Sequence, residues 1–150
     1  MQGCTIRLYG PLQALHLHRL RDCTVEAGPV GGATFGEDLQ TCVLHLATHQ
    51  LRLHHTQDTK VHVLPGSDPI IERCSAVGFA PLQTLPYEGF QAAIQAAGLP
   101  HSAAASKWDN VQDFQYPGHK TSPNWYTLEA VQRCVPGGRE AQDGCGQSQV

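Results

Sequence analysis

With 150 residues the chain is one modest domain, long enough to bury roughly two thirds of its unfolded surface without disulfide or metal staples. Charged residues make up 15%, below the usual quarter, which excludes a disordered chain and a coiled coil, and a net charge of -3 leaves no basic footprint for nucleic acid. No run approaches the roughly 20 apolar residues of a membrane span, and the start at Met1-Gln2 shows neither a basic nor an apolar leader, so no signal peptide and no membrane span are expected.

Glycine (15) and proline (10) together fill a sixth of the chain, which suits a turn-rich β protein. The cysteines stand at 4, 23, 42, 74, 134 and 145, with no Cys-x-x-Cys pair. Without a secretory leader they read as reduced thiols of a cytoplasmic protein.

Two equal gaps of 19 residues separate Cys4, Cys23 and Cys42, and the texture around them repeats. Cys4-Thr5-Ile6, Cys23-Thr24-Val25 and Cys42-Val43-Leu44 are followed by Thr59-Lys60-Val61 and Ala76-Val77-Gly78-Phe79. Within each copy apolar residues alternate, as in Cys4, Ile6 and Leu8 or Cys42, Leu44 and Leu46, the mark of a strand with one buried face. A second β-like run follows in each copy: Leu15 with Leu17, Thr34-Phe35, Leu53, and Ile70-Ile71. Repeats of this length predict a β-solenoid, whose rungs bury their inward residues only by stacking. Turns are expected at Gly28-Pro29, Gly31-Gly32 and Pro65-Gly66. An ordinary β-sandwich also uses short strands and turns, but the repeated spacing favours the solenoid.

From residue 86 the pattern changes. Phe90, Ala93, Ile94 and Ala97 stand at helical spacing and Gly98 supplies a stop, predicting one short helix that covers an end or side of the solenoid. Trp108, Phe114 and Trp125 are expected to pin the returning chain. The solenoid domain is placed at 1–130, and 131–150, with little to bury, as a flexible C-terminal tail.

Nine histidines invite a metal reading, but His16 with His18 and His54 with His55 lack any further ligand frame, so no metal is expected and the histidines read as solvated. There is no nucleophile elbow, phosphate loop or dinucleotide fingerprint, and the carboxylates are scattered. One segment differs. In Thr48-His49-Gln50-Leu51-Arg52-Leu53-His54 the leucines keep the inward period, so Gln50, Arg52 and His54 share the outward face. A guanidinium on a stiff strand is permanently charged and forked, a fit for phosphate oxygens.

The sequence resembles the tubulin-binding cofactor C family, which includes the retinitis pigmentosa GTPase-activating protein. The stretches that carry this are Arg21-Asp22-Cys23, Ala27-Gly28-Pro29-Val30, His49-Gln50-Leu51-Arg52, Pro69-Ile70-Ile71-Glu72 and Phe79-Ala80-Pro81. Lys107-Trp108-Asp109-Asn110-Val111-Gln112-Asp113-Phe114 and Ser122-Pro123-Asn124-Trp125 complete the family's order over roughly residues 4 to 128. The resemblance implies a right-handed parallel β-helix that activates a GTPase by donating an arginine finger from Arg52, with Gln50 beside it. Glu72 and Phe114, together with His54, would face the partner. It implies no cofactor of the chain's own, since GTP and Mg²⁺ belong to the partner, and no substrate turnover of its own. The partner would be tubulin with companion tubulin cofactors, or an ADP-ribosylation-factor-like small GTPase, in the cytoplasm and at the cytoskeleton. Two other functions remain open: a non-catalytic β-helix binding actin, as in the cyclase-associated proteins, or a cytoskeletal scaffold. The sequence departs from the family at Thr48-His49, where Cys-Gln is common, and His49 is expected to alternate inward or to sit at a strand edge.

Overall fold

The computed structural model describes residues 2–117 and 122–128. The tail at 131–150, the domain limit at 130, Cys134 and Cys145 lie outside the described residues.

Among the described residues nine strands run in chain order: β1 (Thr5–Leu12), β2 (Leu15–Arg21), β3 (Thr24–Gln40), β4 (Val43–His54), β5 (Gln57–Pro65), β6 (Ile70–Glu72), β7 (Ser75–Pro81), β8 (Gln112–Asp113) and β9 (Trp125–Thr127). Every pairing among them is parallel. β1 and β2 together lie under β3, β3 under β4, and β4 under β5 and β6, which makes a β-solenoid. Two walls result. The first stacks β1, the start of β3, the start of β4, β5, β7 and β9; the second stacks β2, the end of β3, the end of β4, β6 and β8.

The alternation read from the sequence becomes columns. On the first wall Ile6, Val25, Leu44, Val61 and Phe79 are in register and point inward, as do Leu8, Ala27, Leu46, Val63 and Pro81. On the second, Leu17, Gly36, Leu53 and Ile71 form the facing column. From the second rung up the large members of these columns are buried, each contributing about 1.5–3 kcal/mol. The pairing offset falls from 19 residues at Ala27↔Leu46 to 17 at Ala33↔Gln50, so the expected turns at Gly28-Pro29 and Gly31-Gly32 are places where the second rung bulges.

The corners explain the cysteines. Among the described residues eight non-glycine residues take φ between 50 and 58°, and they fall into two stacks. Arg19, Asp38, His55 and Arg73 form one; Asp22, Thr41, Asp58 and Ala76, continuing Gly3, form the other. A left-handed residue swings the chain and leaves the carbonyl before it facing the interior. The residue after it supplies the donor: Cys4, Cys23 and Cys42 thiols donate to the carbonyls of Gln2, Arg21 and Gln40, and the Thr59 hydroxyl to Gln57. Thr56 and Cys74 do the same for His54 and Glu72 at the other corner. A small apolar side chain with a weak donor is what that position needs. Cys4, Cys23, Cys42 and Cys74 are all free thiols.

After β7 the chain crosses the outside of the first wall. Helix α1 (Phe90–Ala96) ends at Gly98 with φ 76°, as its sequence predicts, and it covers a side of the solenoid. Phe90, Ile94 and Leu99 pack with Leu82 and Leu85 onto Ala47 and Leu64, which point outward from β4 and β5. Tyr87 stacks on Tyr9 at 5.2 Å and its hydroxyl donates to the Gly28 carbonyl at 3.1 Å. On this wall the outward column Glu26, His45 and His62 is almost fully buried, with the imidazoles stacked at 4.4 Å. These two histidines are therefore not the solvated side chains that the sequence suggests.

Candidate functional site

The outer face of the second wall stays open to solvent. Two outward columns cross it. His16, Phe35, Arg52, Ile70 and Gln112 form the first; His18, Glu37, His54 and Glu72 form the second. Leu51 and Leu53, both fully buried, fix the backbone on either side of Arg52, whose side chain is exposed. Among the described residues none forms a hydrogen bond or ion pair with the Arg52 guanidinium. Gln50, half-buried and in register with Ala33, lies on the same face, as alternation requires.

Phe35 sits in register below Arg52 and is half-buried. Its ring meets His16 at 5.1 Å and the edge of His54 at 4.8 Å. Above it, His54 Nε2 lies 3.6 Å from Glu72 Oε1. Glu37 is flanked by His18 Nε2 at 4.0 Å and His55 Nδ1 at 3.9 Å. Imidazole and carboxylate thus alternate up the column beside Arg52.

Phe114 extends this column: its N–H donates to the Ile71 carbonyl at 3.0 Å, which seats it next to Glu72. It is 52% exposed and so does not pin the returning chain; the half-buried Trp108 and Trp125 do, packed against the core. Phe114 owes its position to its neighbour. Asp113 points inward above Ile71, and its carboxylate accepts from Ser122 Oγ at 2.5 Å, Asn124 Nδ2 at 2.8 Å and the Gln115 N–H at 3.0 Å. The Ser122-Pro123-Asn124 stretch is thereby tied to the Asp113-Phe114 stretch.

His49 is exposed rather than inward; Thr48 takes the interior place, its hydroxyl bonded to that of Thr34 at 2.9 Å. Gly66 packs so tightly on His49 that a Cβ there would lie 2.4 Å from its Nδ1. The departure at Thr48-His49 is absorbed locally and leaves Arg52 outward. The period brought Gln50, Arg52 and His54 to one face and the family resemblance added Glu72 and Phe114; the structure places all five there, but neither reading gave a part to Phe35 or Asp113. The register gap between Phe35 and Arg52, 17 residues, was available as a signal, and so was the two-residue step from buried Val111 to Asp113. Among the described residues no three metal-ligating side chains converge, and no helix is long and apolar enough to cross a membrane.

Fold and site together define a parallel β-helix domain that displays an arginine from one open wall while the other wall is sealed. The chain belongs to the tubulin binding cofactor C family, whose model matches residues 1–114. It is 38% identical over 133 residues to the tubulin-folding cofactor C of Arabidopsis thaliana, covering 89% of this chain and 38% of that protein. To the tubulin-specific chaperone C of Mus musculus it is 40% identical over 136 residues, 90% of this chain and 39% of the relative. The chain thus spans under two fifths of the length of these relatives. The solved Tubulin Binding Cofactor C from Leishmania major superposes with a TM-score of 0.75 at 24% identity, covering 87% of this chain and 86% of that one, and shares its fold.

Proposed function

We propose that this domain takes part in tubulin folding by activating GTP hydrolysis in a partner, with Arg52 as an arginine finger supplied in trans. One observation carries the reading: a guanidinium held on a strand between two buried leucines, exposed and unpaired with any other described residue. In the partner's site water attacks the γ-phosphorus and the bond from the γ-phosphorus to the β–γ bridging oxygen breaks, releasing GDP and inorganic phosphate. Charge spreads over the γ- and bridging oxygens, and a permanent, forked cation stabilises it without covalent chemistry. The strand orders Arg52 before the encounter, so little conformational entropy is lost on docking.

GTP and Mg²⁺ belong to the partner, and the domain turns over no substrate of its own. Tubulin, with companion tubulin cofactors, is the first candidate because the relatives carry it in their names; an ADP-ribosylation-factor-like small GTPase is the second. Gln50 supports Arg52 from the same face, and Glu72 and Phe114 meet the partner. The setting is the cytoplasm, at the cytoskeleton.

Single-turnover hydrolysis on GTP-loaded tubulin with companion cofactors, and separately on an ADP-ribosylation-factor-like GTPase, tests this. Arg52→Ala should abolish the stimulation, a loss on the order of 10³-fold or more, while thermal stability stays within about 0.5 kcal/mol because the residue is exposed. Arg52→Lys should recover little, since a point charge lacks the fork. Stimulation unchanged in Arg52→Ala would sink the reading and favour a non-catalytic module, for actin or as a scaffold.

A further inference from the structure

Arg52 has a carboxylate diagonally across each neighbouring rung. Glu37 below and Glu72 above are both in register with His54, two residues along the same outward face. Diagonal neighbours on a sheet lie within reach of long side chains, so either carboxylate could clasp the guanidinium and mask it. Neither does. Glu72 is turned to His54 at 3.6 Å, and Glu37 to His18 at 4.0 Å and His55 at 3.9 Å. His54 is itself braced by the edge contact with Phe35 at 4.8 Å.

We infer that His54 is a positioning residue: by engaging Glu72 it keeps that carboxylate off Arg52, so the finger stays free for a partner. The inference rests on the reading of Arg52 as the finger. It recasts His54 from a partner contact into a residue that acts through Glu72. Phe35 limits the imidazole's swing from below, while His18 and His55 do for Glu37 what His54 does for Glu72. The titratable and charged groups facing His54 are Glu37 from β3, Glu72 from β6, and Arg52 and His55 on its own stretch of chain.

A double-mutant cycle on stimulated GTP hydrolysis tests this, with tubulin–GTP and companion cofactors as the probe. His54→Ala should lower the maximal rate about two- to five-fold, the range of an exposed pair, with little change in half-saturating concentration. In a Glu72→Gln background the same substitution should change nothing, because the carboxylate that His54 holds is gone while Glu37 keeps its own two histidines. An equal loss in both backgrounds, or no loss in either, overturns the inference. A second readout is independent of the GTPase. With ¹⁵N-labelled arginine, the Arg52 Nε–H signal should shift in His54→Ala and return in His54→Ala/Glu72→Gln. An Arg52 signal that ignores His54 overturns the inference as well. If Arg52→Ala leaves hydrolysis untouched, the finger reading falls on its own, and the labelled-arginine experiment still decides the side-chain arrangement.

Discussion

The two walls of the solenoid are built by one rule and end in opposite conditions. Each alternates inward and outward residues, and each stacks its outward residues into columns of mixed charge. On the first wall the column Arg7, Glu26, His45 and His62 runs beneath the returning chain: Glu26 takes contacts from Arg7 and the Tyr9 hydroxyl, and burial pulls the nearby Lys60 ammonium below the ordinary lysine value. On the second wall the columns through Arg52 and His54 face water. Outwardness is thus a property of the strand, whereas availability is a property of what crosses over it. Arg52 is available because the chain after β7 turns toward the wall that does not hold it.

The strongest way to break this contrast is to loosen the cover. Phe90→Ala removes the aromatic that meets Tyr87 at 5.7 Å in the sealed cluster and should cost about 3–5 kcal/mol. Denaturant midpoints check it, and hydrolysis stimulated per folded molecule should stay at the level of the unaltered chain. Gly28→Ala attacks the bulge under the cover. Its φ is 126° and a Cβ there would lie 2.5 Å from the Ala47 carbonyl oxygen, so a loss of about 1–3 kcal/mol in thermal unfolding is expected. The smallest effect sharpens the comparison through pH. Burial first, then the bond to Glu26, raises the Tyr9 hydroxyl to about 12. The native state therefore favours the neutral phenol. Its contribution is whole below the unfolded value of about 10 and drains away as pH rises toward the folded value. Tyr9→Phe should flatten that alkaline loss in denaturation curves between about pH 9 and 12, and an unchanged slope would contradict the assignment.

Much of this was readable in the chain. The 19-residue step between cysteines survives because each follows a left-handed corner and must donate to a carbonyl there, so chemistry and spacing are locked together. Arg52 was readable as outward because Leu51 and Leu53 flank it, and the helix because Phe90, Ile94 and Gly98 mark its face and its end. The misreadings share one cause. Alternation assigns a side, not a neighbour, so it could not show that a later segment buries His45 and His62. Nor could it show that Asp113 rather than Phe114 is the anchor at the top of the second wall. His49 escaped the period because the inward phase changes there, from Leu44, Leu46 and Thr48 in the first half of β4 to Leu51 and Leu53 in the second.

The sulfurs at the corners have a consequence for how the molecule meets oxidants. Cys42 and Cys74 sit out of water with their thiols occupied, and burial pushes both above the ordinary thiol value. Thiolate is the form that reacts, so alkylating or oxidising reagents reach these atoms only after a coil has parted locally. Their labelling rate becomes a clock for the breathing of the helix axis, ticking in its middle coils and silent while the stack is closed.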